Sequence, residues 1–149
     1  MNWRRVIRHL AIPPWRVRQV FGQPAMDAIE QAIRDSERTH SGQICFAVEA
    51  ALDTVPLLKG QSARDRALEV FASLRVWDTE RNNGVLVYLL LADHDVEIVA
   101  DRGISAHVEH AAWESVCHEM ETAFRAGQFE RGAVDGIRAV GALLAKHFP

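Results

Sequence analysis

Eight consecutive apolar residues, Val85-Leu-Val-Tyr-Leu-Leu-Leu-Ala92, follow the dipeptide Asn83-Gly84 and set the strongest limit on how this chain can fold. A run with no polar alternation has no face to offer water, so it predicts a strand covered on both sides, hence a central one. Asp93-His94-Asp95 supplies turn residues and Val96–Ala100 a second strand, so the two segments predict a hairpin. Gln43–Leu52, with Ile44, Phe46 and Val48, predicts a further strand.

Around these strands the apolar spacing becomes helical. Pro24 introduces a helix over about Ala25–Arg38, with Met26, Ile29 and Ile33 at core spacing, and Ser41-Gly42 ends it. Ser62 and Asp65 resemble a capping box. They open a helix to about Leu74 whose Ala63, Ala67, Val70, Phe71 and Leu74 form one apolar stripe. Asp53–Gln61 and Val76–Asn83 read as loops, and two long helical patterns follow, about Ala106–Arg125 and Phe129–His147, parted at Gly127. The expected fold is α/β (α+β): a small mixed sheet containing a central β-hairpin, sandwiched by about four helices. Residues 1–24 are expected to form a basic N-terminal arm and residues 25–149 a single domain. With 149 residues, 48% of them hydrophobic, the chain buries enough surface to fold without metal or disulfide. Cys45 and Cys117 match no metal or redox spacing and are expected as free thiols in a reducing compartment.

Charge divides the chain unevenly. Residues 1–26 hold Arg4, Arg5, Arg8, Arg16 and Arg18 and no acid, a charge of +5, so with −3 overall the remainder carries −8. An acidic body excludes a nucleic-acid-binding domain, which needs a basic face on the fold itself. No apolar stretch reaches the ~20 residues that span a bilayer. Arg8 and His9 interrupt the start as a signal peptide, which makes the cytoplasm the expected location. Residues 3–11 predict a helix with Trp3, Ile7, Leu10 and Ala11 on one side, ended by Pro13-Pro14. That arm either packs on the domain or meets anionic lipid through its five arginines, peripherally at the inner membrane, at about 1 kcal/mol per basic residue.

The densest polar cluster is Asp78-Thr-Glu-Arg-Asn-Asn-Gly84, immediately before the central strand. Asp78, Glu80, Asn82 and Asn83 carry the oxygen ligands that Ca²⁺ or another hard divalent cation takes. The spacing is not that of an EF-hand: Asn83 stands where the loop glycine belongs and Leu89 where the bidentate Glu belongs. Asp101 follows the second hairpin strand, in Val99-Ala-Asp-Arg-Gly103. The start of one hairpin strand and the end of the next share a sheet edge, so Asp78, Asn83 and Asp101 are expected to converge. The alternative role for Asp101 is to stabilise a helix N-terminus near Gly103–Ser105.

His107, His110, Glu114 and His118 share a helical face, but Val108, Ala112, Val116, Met120 and Phe124 form the opposite stripe, which should face the core. The histidine face is therefore expected in solvent rather than on a metal. Gly-x-Ser-x-Gly and Walker loops are absent, the only lysines are Lys59 and Lys146, and no Ser-His-Asp set can be assigned, which argues against covalent catalysis.

The run Val70-Phe-Ala-Ser-Leu-Arg-Val-Trp-Asp-Thr-Glu-Arg-Asn-Asn-Gly-Val-Leu-Val-Tyr, with Val96-Glu-Ile-Val-Ala-Asp-Arg-Gly-Ile104, resembles the TPM domain. This family is named for a plant thylakoid lumen protein, a photosystem-repair protein and a nematode receptor-associated protein. The resemblance extends over about Met26–Phe148, in a compact bacterial form without the C-terminal membrane helix or glycine-rich tail of many members. It implies a small sheet between helices and a divalent-cation site at one end of the sheet, with Asp78, Asn83 and Asp101 at matching positions and Glu80 and Asn82 beside them. It also implies an envelope setting with a LemA-like or other membrane-associated partner. Two functions follow as expectations: a non-catalytic cation-binding interaction module, or a metal-dependent acid phosphatase, the activity attributed to the plant branch. In the second, the cation would polarise a phosphoryl oxygen and orient a water.

Overall fold

The computed structural model describes residues 2–79 and 82–149. A three-stranded mixed sheet in the order β1-β2-β3 lies at its centre: β1 (Gln43–Glu49), β2 (Gly84–Leu90) and β3 (Asp95–Ala100). β1 runs parallel to β2 with Gln43 opposite Gly84, and β3 runs antiparallel to β2 with Val85 opposite Ala100. The central strand is the apolar run, and every residue of β2 is buried.

Its alternation splits the core in two. Val85, Val87 and Leu89 face a layer formed by α3 (Gln23–Glu37), α7 (His110–Arg125) and α8 (Phe129–His147). Leu86, Tyr88 and Leu90 face the layer of α1 (Trp3–Ala11), α4 (Thr54–Leu58) and α5 (Ala63–Ser73). Because neighbouring side chains on a strand point to opposite faces, burial on both sides requires the unbroken apolar sequence. The four long helices are the expected ones, and Ser62 and Asp65 form the capping box at the start of α5. Four short helices join them: α1, α2 (Arg16–Val20), α4 and α6 (Arg102–Ser105).

Several boundaries differ from the sequence reading. β1 stops at Glu49 rather than Leu52, and the Asp53–Gln61 loop contains α4. Leu90 leads into a 3-10 turn at Leu91–Asp93, closed by His94 in the left-handed region at φ 50°. The helix expected from Ala106 begins at His110, because Glu109 is extended and Asp101 caps a separate short helix, α6. His107 therefore leaves the presumed histidine face; its ring meets Phe148 edge-on at 5.6 Å. Leu74 leaves the α5 stripe, 56% exposed, where Arg75 turns the chain at φ 56°. Both cysteines are free and half-buried.

Both outer strands have backbone groups capped by side chains. On β3, Arg64 donates to the Ile98 carbonyl at 2.6 Å and the Val96 N–H donates to Glu121 Oε2 at 3.0 Å. On β1 the Ile44 N–H donates to Glu37 Oε1 at 3.2 Å. Such capping withholds strand edges from intermolecular pairing.

The β3 cap gathers Asp95, Glu97 and Glu121. Burial first, then a hydrogen bond to Glu121 and the charges of Glu97, Glu121 and Asp93, push the Asp95 carboxyl up to about 7. A carboxyl raised in the folded state holds its proton there after the unfolded chain has lost it. Its stabilising contribution is present at acid pH and is lost as pH rises from about 4 to about 7. Asp95→Asn is therefore expected to raise stability at pH 8 by about 1 kcal/mol and to flatten that slope, a change readable by urea melts across pH.

Candidate functional site

The parallel and antiparallel pairings bring the start of β1, the start of β2 and the end of β3 to one end of the sheet. At that end two segments distant in sequence are tied directly: Asp101 N–H donates to the Gly84 carbonyl and Gly103 N–H to the Asn82 carbonyl, both at 2.9 Å. The segments that carry Asn83 and Asp101 thus meet through a backbone bridge, while the Asp78 carboxylate is paired with Arg75.

The residues of this junction hold different positions. Asn82 is exposed and left-handed at φ 52°, a conformation that asparagine tolerates better than most residues. Asn83 is buried and bonded on three sides: its Nδ2 donates to the Ser41 carbonyl (2.7 Å), its N–H to Thr79 Oγ1 (3.0 Å), and its carbonyl accepts from Gln43 N–H (3.1 Å). Asn83 therefore joins the loop before β2 to the turn before β1. Gly84 lies so close to the preceding loop that an added Cβ would stand 2.0 Å from the Val76 carbonyl oxygen.

Asp101 is the N-cap of α6. Its Oδ1 accepts from Arg102 N–H at 2.7 Å, and its carbonyl accepts from Ile104 N–H and Ser105 N–H. Its other carboxylate oxygen, Oδ2, is buried and has no hydrogen-bond partner among the described residues. Asp78 is exposed and its carboxylate is paired with Arg75 Nη2 at 2.8 Å. Glu80 lies outside the described residues.

Donor chemistry at the junction fits a hard cation in part. The buried carboxylate oxygen of Asp101 has room for a donor or a cation, and Asn82 lies exposed in the segment bridged to it through Gly103. Among the described residues no three His, Cys, Asp or Glu side chains gather closely enough to hold a metal ion. An ion here would take one or two carboxylates, amide or backbone oxygens and water, which is how weakly held Mg²⁺ and Ca²⁺ are bound.

Beneath the junction lies a histidine that sequence reasoning did not single out. His40 is buried; its Nδ1 accepts from Gly42 N–H at 3.1 Å, so Nε2 carries the proton, within 2.9 Å of Ser36 Oγ. Burial holds its pKa below the ordinary histidine value, against the opposing pull of Glu37 and the Gly42 hydrogen bond. It braces the α3–β1 turn as a neutral group. A second network crosses the other face of the sheet: Arg66 forks onto Glu49 (2.8 and 2.9 Å), and Tyr88 OH donates to Glu49 Oε1 at 2.7 Å. That fork explains how a tyrosine fits inside an otherwise apolar strand.

A three-stranded mixed sheet lies between helical layers, with an Asn-Gly turn into the central strand and an Asp-x-Gly helix start bridged to it, an arrangement consistent with the TPM domain that the sequence resembles. The chain belongs to that family: the TPM domain model matches residues 17–143. Among solved structures it is similar to the BA42 protein of the psychrophilic bacterium Bizionia argentinensis, at 35% identity and TM-score 0.74, over 85% of this chain and 82% of that one. The N-terminal domain of a P. gingivalis protein shares the fold at 16% identity and TM-score 0.70, over 92% and 90% of the two chains. The N-terminal domain of cg2496 from Corynebacterium glutamicum does so at 11% identity and TM-score 0.61, over 86% and 76%. No curated protein sequence matches this chain. No helix among the described residues is long and apolar enough to cross a membrane.

Proposed function

We propose that this protein is a non-catalytic, divalent-cation-binding interaction module whose ion sits at the junction of the 82–84 and 101–103 segments. The observation that carries this reading is the buried Oδ2 of Asp101, which lacks a hydrogen-bond partner among the described residues while its sister oxygen caps α6. A buried carboxylate oxygen is unfavourable until a donor or a cation satisfies it, and a cation is the partner proposed here. Asn82 and, after leaving Arg75, Asp78 are the further ligands, with Glu80 completing the loop expected from the sequence. Asn83 shapes the site through its backbone and its tie to Ser41. An envelope or membrane-associated complex is its proposed setting, with a LemA-like protein as the partner class, a reading supported by the family resemblance alone.

Thermal melts with and without Ca²⁺ test this. At about ten times the dissociation constant, ligand linkage adds roughly 1.4 kcal/mol, a rise of about 3–5 °C for a chain of this size. Asp101→Asn, which keeps a capping oxygen but removes the charge, is expected to abolish that rise. An equal rise in the variant would exclude Asp101 as a ligand. A metal-dependent phosphomonoesterase would use the same ion. Aryl phosphate turnover that disappears in both Asp78→Ala and Asp101→Ala would establish that second reading in place of the first.

A further inference from the structure

The N-terminal helix docks with its apolar side outward. α1 is held to the domain by Val6, which enters the core with Leu52 and Leu57, and by a polar anchor on Asp93. His9 Nδ1 accepts from Leu52 N–H at 3.1 Å and its Nε2–H donates to Asp93 Oδ1 at 2.8 Å, while Arg5 and Arg8 reach the same carboxylate at 3.0 and 3.2 Å. Trp3, Ile7 and Leu10 occupy the opposite side and are each 64% exposed. At about 100° per residue they fall within an arc of roughly 60°. Trp15, 62% exposed, follows the two prolines. Other large apolar side chains are exposed singly, Val55 and Leu74 among them, but Trp3, Ile7 and Leu10 form one stripe, and a stripe of this kind marks a contact surface.

We propose that this face of α1 is a membrane-docking surface that takes an anionic lipid bilayer. Charge selects the occupant. Arg4 and Arg8 line one flank of the stripe, and Arg16 and Arg18 follow on α2; all four are exposed, and no acidic residue occurs before Asp27. The region of +5 is drawn to a negative surface while the body of −8 is repelled by it, which orients the helix toward the lipid. Tryptophans at Trp3 and Trp15 are the residues that favour the headgroup boundary. A second copy meeting this one stripe to stripe would bring two arms of like charge together, which disfavours a symmetric dimer. Nine residues make a helix about 14 Å long, suited to lying in the membrane plane and not to crossing it. α1 precedes residues 17–143, the segment matched by the family model.

Co-sedimentation of the full chain with vesicles tests the proposal, with EDTA present so that the cation site plays no part. Phosphatidylcholine vesicles with and without phosphatidylglycerol are compared, at low and high salt. The expected result is binding to the anionic vesicles about tenfold tighter than to the neutral ones, weakened by salt. Ile7→Ser/Leu10→Ser should weaken it by about tenfold at an unchanged melting temperature, since both side chains are largely exposed and neither supplies a bond to the Asp93 anchor. Arg4→Glu/Arg16→Glu/Arg18→Glu should erase the preference for anionic lipid. Should the serine variant melt early, Ile7→Trp is read instead: tighter binding supports the proposal and unchanged binding overturns it. Equal binding to both vesicle types, or none, overturns it. So does a concentration-dependent dimer that Ile7→Ser/Leu10→Ser abolishes, because the stripe would then be occupied by a second copy.

Discussion

Gly84→Ala is expected to destabilise the protein by about 3 kcal/mol, at the upper end of overpacking effects. The cause is a single methyl group with nowhere to go. Its carbon would stand 2.0 Å from the Val76 carbonyl oxygen and 3.0 Å from the carbonyl carbon. Backbone atoms cannot rotate aside as a flexible side chain can. Val76 is itself buried, and its N–H is bonded to the Phe71 carbonyl at 3.1 Å in the turn that ends α5. Gly84 also pairs with Gln43 on β1 and accepts from Asp101 N–H, so relief by moving β2 would disturb all three strands. Gly127 provides the control. It has open space around it and a φ of +78°, so Gly127→Ala should cost only about 1 kcal/mol. Urea denaturation of the two variants measures the contrast; equal losses would show that the approach of Val76 is not what requires glycine at position 84.

Removing the Asp93 carboxylate should have the next largest effect. Asp93→Ala is expected to cost about 3 kcal/mol, since truncating one member of a buried pair leaves the others uncompensated. The side chain of His9 is 0% exposed and that of Asp93 11%, so water cannot readily replace the lost contact. Arg5 and Arg8 lose the same acceptor. Release of α1 follows, and trypsin should then cleave at Arg4, Arg5 and Arg8 faster than in the parent protein. Asp93→Asn keeps a neutral acceptor for the histidine N–H and should lose less. Burial pushes the Asp93 carboxyl up, but the hydrogen bonds from His9, Arg5 and Arg8 outweigh it and hold the group below its ordinary value. A depressed carboxylate stabilises the fold above the unfolded value of about 4, and that contribution is lost as pH falls through the lower folded value. Asp93→Ala should lack this part of the acid-induced loss.

The sequence makes β2 legible because burial on both faces leaves a signal that no other element gives: eight apolar residues in a row. The capping box at Ser62 and the long period of α8 are local patterns and are equally readable. The direction of α1 is not. Apolar periodicity puts Trp3, Ile7 and Leu10 on one side, yet the helix docks through Val6, His9 and Arg5, because a carboxylate 84 residues away from His9 supplies the anchor. Counting apolar residues cannot register a buried polar attachment. α2 and α4, five residues each, are shorter than two helical turns and leave no period. At the candidate site, hairpin geometry predicted that Asp78, Asn83 and Asp101 converge, and the segments carrying Asn83 and Asp101 are indeed joined by a backbone bridge, because they flank the paired ends of β2 and β3. The separate roles of neighbours were hidden. Asn82 faces solvent while Asn83 is locked to Ser41, and Asp78 is paired with Arg75, distinctions that depend on partners far along the chain or on the turn at Arg75.

Anomalous scattering from a crystal soaked in Ca²⁺ tests the central claim most directly. The proposed function predicts a peak within about 2.3–2.6 Å of Asp101 Oδ2, lost in Asp101→Asn. No peak at that junction, or a peak only beside Asp95, Glu97 and Glu121 on the outer edge of β3, would contradict it.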